Sequence, residues 1–171
     1  MYDQLKNNFD NIEPNFELGE ILMALSVIDN KNDYLKQQIN DLMNKEMTDK
    51  STDHQIFRYN WYAKLIHYAK NEKYARYLIR EITKYIDGQP NNTETNYYAV
   101  EFEALATIYA NIKSDRYKKS LEPYIEQLII KLETRRMDDW GLYQFTNGTA
   151  RVDITGHVLN GIYVLGLPKS L

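Results

Sequence analysis

Residues 97–117, YYAVEFEALATIYANIKSDRY, decide how the chain folds. Apolar side chains recur at helical spacing from Tyr97 to Ile108, a short polar loop follows, and Asp115-Arg116-Tyr117 opens a second helical stretch. The same opening recurs at Asp33-Tyr34-Leu35 and at Lys73-Tyr74-Ala75. Upstream of each lies a matching first helix: Gly19-Glu20-Ile21-Leu22-Met23-Ala24-Leu25, Tyr59-Asn60-Trp61-Tyr62-Ala63-Lys64-Leu65 and Phe102-Glu103-Ala104-Leu105-Ala106-Thr107-Ile108. A fourth copy, Gly156-His157-Val158-Leu159-Asn160-Gly161-Ile162, begins near the end and has no second helix. The repeat is 40 residues from Tyr34 to Tyr74 and 43 from Tyr74 to Tyr117. A period of this size means stacked units, each burying its apolar face on its neighbours.

The repeat predicts an all-α fold of tandem helical hairpins, 3.5 to 4 units of about 42 residues. It reads as one domain over 1–171 that forms an α/α superhelical arc or partial toroid. Expected helices cover 3–11, 16–29, 33–46, 53–70, 72–86, 94–112, 115–135 and 154–165. The first helices are rich in small and aliphatic residues, as inner helices packed on both sides must be. The second helices, such as EKYARYLIREITKYI, carry one apolar stripe and one charged face, the pattern of an outer layer. Asp33, Asp115 and Thr52 or Asp53 are expected caps, and Gly88-Gln89-Pro90 an expected stop. Pro123 predicts a kink in 115–135, or a helix that starts near Leu121. Residues 137–152 read as a loop insert before the last helix, with a brief hairpin around Asn147-Gly148. The helix at 3–11 is a candidate to close the flank of the unpaired fourth inner helix.

Composition narrows the functional classes. The 171 residues hold 24 acidic and 21 basic side chains, a net charge of −3, and no cysteine. The weakly acidic balance argues against a nucleic-acid partner, whose footprint is a basic patch. Without cysteine there is neither a thiolate metal site nor a cysteine nucleophile. No apolar run approaches the roughly 20 residues needed to span a bilayer, so no membrane partner is expected. The polar, acidic N-terminus looks unlike a secretory leader, which makes the cytoplasm the default location. No phosphate-binding glycine loop or nucleophile elbow occurs, and no cofactor is implied.

Candidate site residues come from the repeat alignment. One position of the inner helices holds Glu20, Asn60, Glu103 and His157, while neighbouring columns are apolar or small. Such a column places hydrogen-bonding groups along one rim of the concave face. Glu20 and Glu103 are candidate acid–base or hydroxyl-clamping groups. His157 is a third, with Asp153 one turn earlier to orient its imidazole. The alternative places these residues at solvated first turns, where Glu complements the helix dipole. Trp140, Tyr143 and Phe145 precede the last helix, beside Asp138 and Asp139. They read either as stacking platforms with hydroxyl-binding carboxylates or as a lid over the last repeat. His67 shares a column with Val27, Ala110 and Val164 and is expected to be packed or half-buried.

The hairpin at 97–117 and the Asp153-Ile154-Thr155-Gly156-His157 start resemble α/α-toroid proteins, among them six-hairpin glycosidases and N-acylglucosamine 2-epimerase-like sugar enzymes. The resemblance covers about 16–165, at about half the length of those proteins. It implies a carbohydrate-binding or carbohydrate-processing protein with a polar rim on its concave face. The second class is a non-enzymatic helical-repeat scaffold whose groove takes a peptide or protein partner. The unpaired fourth inner helix also suggests a homodimer. Whether a substrate is turned over is left open by both readings.

Overall fold

The computed structural model describes residues 16–29, 31–48, 55–69, 71–89, 94–137 and 141–166. These form seven α-helices: α1 (Phe16–Ile28), α2 (Asp33–Thr48), α3 (Gln55–Ala69), α4 (Glu72–Gly88), α5 (Thr95–Asn111), α6 (Asp115–Glu133) and α7 (Val152–Leu165). The fold is all-α. The expected helix at 3–11 and the caps at Thr52 and Asp53 lie outside the described residues.

The helices pack as a helical-repeat arc of two layers. The inner row runs α1, α3, α5, α7, each packed on the next; α2, α4 and α6 each pack on the inner helix before them. α2 and α4 also touch the inner helix that follows, so the hairpins interlock. Sequence pattern explains the layering. In α4 the residues Tyr74, Leu78, Ile82 and Ile86 recur every fourth position and are buried, while Glu72, Arg76 and Lys84 are exposed. α5 has partners on several sides and is buried continuously from Tyr98 to Ile108, two glutamates included.

α7 comes unusually close to α5. A Cβ added to Gly161 would stand 2.4 Å from Cε1 of Phe102, well inside van der Waals contact. The last inner helix therefore approaches through a position that only hydrogen can occupy. That approach carries His157 and Asn160, on the neighbouring face of α7, over the middle of α5.

Local signals differ from expectation at several positions; Ser114, not the expected Asp115, is the N-cap residue of α6, and Asp115 lies in its first turn. Asn32, not Asp33, caps α2, its Oδ1 accepting from Leu35 N–H at 3.2 Å. Asp33 instead lies in the first turn and pairs with Lys36. α6 runs from Asp115 through Pro123, which sits at an exposed position. The helix therefore starts at Asp115 and not near Leu121. His67 is exposed, with Nδ1 3.0 Å from Asn111 Oδ1, because its column lies at the solvent end of α3. The loop before α7 holds the expected hairpin: Gln144 bridges Ala150, Phe145 N–H donates to Thr149 O at 2.8 Å, and Gly148 takes φ 83°. Thr155 Oγ1 accepts from Tyr143 N–H at 3.1 Å and ties that loop to α7.

A buried ion pair joins the first two hairpins. Arg58 of α3 donates to both oxygens of Glu46 on α2, at 2.8 and 3.1 Å, with each side chain 5% exposed. Tyr77 of α4 donates its hydroxyl to the Glu46 carbonyl at 3.1 Å.

Candidate functional site

Three of the four column residues, Asn60, Glu103 and His157, meet at the Glu103 carboxylate. That carboxylate, 1% exposed, sits mid-way along the inner row and accepts from both flanking inner helices. From α3, Asn60 Nδ2 donates to Oε2 at 2.7 Å and Lys64 Nζ lies 3.0 Å from Oε1. From α7, His157 Nδ1 donates to Oε2 at 2.7 Å and Asn160 Nδ2 to Oε1 at 2.9 Å. Helix geometry makes this possible: Asn60 and Lys64 are one turn apart, as are His157 and Asn160, so each helix offers two donors on one face.

The electrostatics favour an ionised carboxylate. Burial alone raises the Glu103 carboxyl, but the hydrogen bond from His157, the charge of Lys64 and the Asn60 amide overcome it and hold the pKa at about 2. Lys64 also lies 4.2 Å from the Trp61 ring centroid, a cation–π contact that fixes its stem. Lys64 and His157 keep 18% and 27% of their side chains exposed, and Asn160 is exposed. Glu103 is thus a buried hub beneath polar groups that still reach solvent.

The other candidate residues are placed differently. Glu20 is half-buried on α1, and among the described residues no hydrogen bond links it to the hub. Asp153 does not orient His157. It is exposed and forms a two-point ion pair with Arg151, which holds its carboxyl below the usual range, while Glu103 holds the imidazole. Tyr143 is 2% exposed and donates its hydroxyl to Glu133 at 3.1 Å; burial pushes that hydroxyl up to about 12, so it is no open stacking platform. Asp138, Asp139 and Trp140 lie outside the described residues.

A cavity of about 430 Å³ lies beside α7, lined by Arg136, Gly141, Tyr143, Leu159, Asn160, Ile162 and Tyr163. Asn160 belongs to both hub and cavity, since its amide serves Glu103 while the residue lines the cavity. Tyr163 is 72% exposed there and presents an aromatic surface.

The chain matches no family model, no curated protein and no solved structure. Among the described residues no group of three or more His, Asp and Glu side chains is arranged to hold a metal ion, and no helix is long and apolar enough to cross a membrane.

Sequence reasoning missed Lys64 and Asn160. Both were signalled, because each lies one turn beyond a member of the polar column on the same helix face. It also missed Glu101, which is 3% exposed on the opposite side of α5. Burial pushes that carboxyl up to about 7, with Lys131 opposing. An acid inside an Ala-Leu core segment was the signal, and it reads the same whether the acid faces a site or a neighbouring helix.

Proposed function

We propose that this protein binds carbohydrate non-covalently, at the groups that Glu103 organises and the cavity that one of them, Asn160, lines. The observation that carries the reading is the Glu103 hub. One buried carboxylate fixes the orientation of an imidazole, two amides and an ammonium drawn from two helices. Sugar hydroxyls need donors and acceptors at set angles, and groups locked before binding lose little entropy when they engage. The adjoining cavity supplies the other half of a sugar site, apolar and aromatic surface beside a few polar groups.

Binding suits the hub better than glycosidic cleavage. A glycosidase acid needs a raised pKa and a second carboxylate across the scissile bond. Glu103 is held at about 2 with both oxygens occupied. A thermal-shift screen against neutral sugars tests the proposal, because a ligand that binds only the folded state raises its melting temperature. We expect at least one sugar to stabilise the wild type and to lose that effect in Asn160→Ala. A full panel without a shift, or a shift unchanged in Asn160→Ala, contradicts it.

A second reading, a scaffold for a peptide or protein partner, draws on α7 alone. Val152 and Leu159 are 82% and 55% exposed on one flank of that helix, next to Tyr163. An apolar flank of this kind marks interaction surfaces as well as ligand grooves.

A further inference from the structure

On α7, Val152, Gly156, Leu159 and Tyr163 follow one another at intervals of four, three and four residues and so share one stripe of the helix. Val152, Leu159 and Tyr163 are 82%, 55% and 72% exposed. Gly161, on the opposite side, is accounted for by the Phe102 ring pressed against it, whereas a Cβ added to Gly156 would meet nothing within 4 Å. A glycine inside a helix destabilises it relative to alanine, and no close contact within the chain accounts for this one. α3 and α5 each lie between two inner helices, while the inner neighbour of α7 among the described residues is α5. The stripe, on the side away from α5, stands where a further helix of the inner row would pack.

That stripe is its own complement. A two-fold axis midway between His157 and Val158 sets two copies of α7 antiparallel. It pairs Gly156 with Leu159 of the partner subunit, and Val152 with Tyr163 of the partner subunit. In both pairs a smaller residue meets a larger one, so each Leu159 is a knob for the hole over the other Gly156. One axis satisfies both pairs, as an isologous interface requires. From this self-complementarity we infer that the outward stripe of α7 is a homodimer seam, its partner a second copy of this chain packed antiparallel. Gly156 then lets the two helices approach closely, as Gly161 does against α5. Asp153, the carboxylate of this stretch, is already paired with Arg151, so closing the seam strands no negative charge. Leu159 and Tyr163 also line the cavity beside α7, which puts the partner helix at its rim. The inference names the partner for the second reading above and does not depend on sugar binding. A single helix pair is a small interface, so the dimer is weak and reversible.

Sedimentation velocity of the full chain, from low micromolar to several hundred micromolar, tests this. The mass is expected to rise with concentration from that of one chain toward that of two. Leu159→Ala removes the knob and should weaken the dimer about tenfold or more. Gly156→Leu fills the hole and should weaken it by about as much, although it adds apolar surface and a better helix former. Combining the two exchanges knob and hole and should recover most of the lost affinity. Neither position is buried, and circular dichroism verifies the fold of each variant. A chain that stays monomeric throughout overturns the inference and leaves the carbohydrate reading standing. A dimer unchanged or tightened by Gly156→Leu overturns the seam, because a merely sticky patch would respond that way. Loss in both single variants without recovery in the double variant overturns the pairing of Gly156 with Leu159.

Discussion

Replacing Glu103 by alanine tests the hub at its centre. The substitution removes an acceptor that is 1% exposed and serves four donors. Lys64 and His157 retain partial exposure and turn to water, but Asn60, 1% exposed, keeps a buried amide with no partner. Each stranded buried group costs about 1–3 kcal/mol, and a buried charge pair that loses one member about 3–5 kcal/mol. A pH argument reaches a similar size. The carboxyl lies at about 2 in the fold against its ordinary 4.5, which corresponds to about 3 kcal/mol at about 1.4 kcal/mol per pKa step. Its folded pKa is depressed, so this stabilisation is full above about pH 4.5 and is lost as pH falls toward 2.

Urea unfolding followed by circular dichroism at pH 7 and at pH 3 reads both numbers. We expect Glu103→Ala to lose about 3 kcal/mol at pH 7, a melting temperature lower by roughly 6–12 °C for a chain of this size. At pH 3 the gap from wild type should be visibly smaller. A loss under about 1 kcal/mol at pH 7 refutes the hub as a structural element. A gap that does not narrow with acid refutes the ionised carboxylate. Glu103→Gln is also expected to destabilise, because its NH2 would face donors from Asn60, Asn160, Lys64 or His157.

Three further outcomes follow from the packing. Gly161→Ala should cost about 1–3 kcal/mol by thermal unfolding, since its Cβ meets the Phe102 ring at 2.4 Å, and Phe102→Leu in the same chain should restore part of it. Glu101→Gln should stabilise the protein at pH 8 by up to about 3 kcal/mol and leave it unchanged at pH 4. Its folded pKa of about 7 lies above the ordinary 4.5, so wild-type stability is full below about pH 4.5 and falls as pH rises to 7; a pH-independent effect would contradict the buried carboxyl. Arg58→Met alone should cost about 3–5 kcal/mol by leaving Glu46 buried and unpaired, whereas the double variant with Glu46→Leu should recover most of it in a double-mutant cycle.

Much of the fold was legible because the hairpin repeat is written in apolar spacing, which survives without knowledge of the third dimension. Helix limits moved by a residue or two, and α6 begins at Asp115, upstream of Pro123, instead of near Leu121. The site was legible in part. The column Asn60, Glu103 and His157 pointed to one place because repeats map equivalent positions onto one face. Glu20 belongs to that column, yet it stands one helix further from the hub. Asp153 shows where spacing fails: a one-turn offset made it a natural partner for His157, but Arg151, two residues away, captures it. Tyr143 shows the same limit for aromatics, whose sequence does not say which way the ring turns.

The most direct test of the account maps a sugar onto the chain itself. In amide-detected NMR of the isotopically labelled protein titrated with galactose, saturable shift changes are expected to concentrate at Lys64, His157 and Asn160 and along the α7 face of the cavity. Shift changes confined to the outer helices α2, α4 and α6, or none up to millimolar sugar, contradict it.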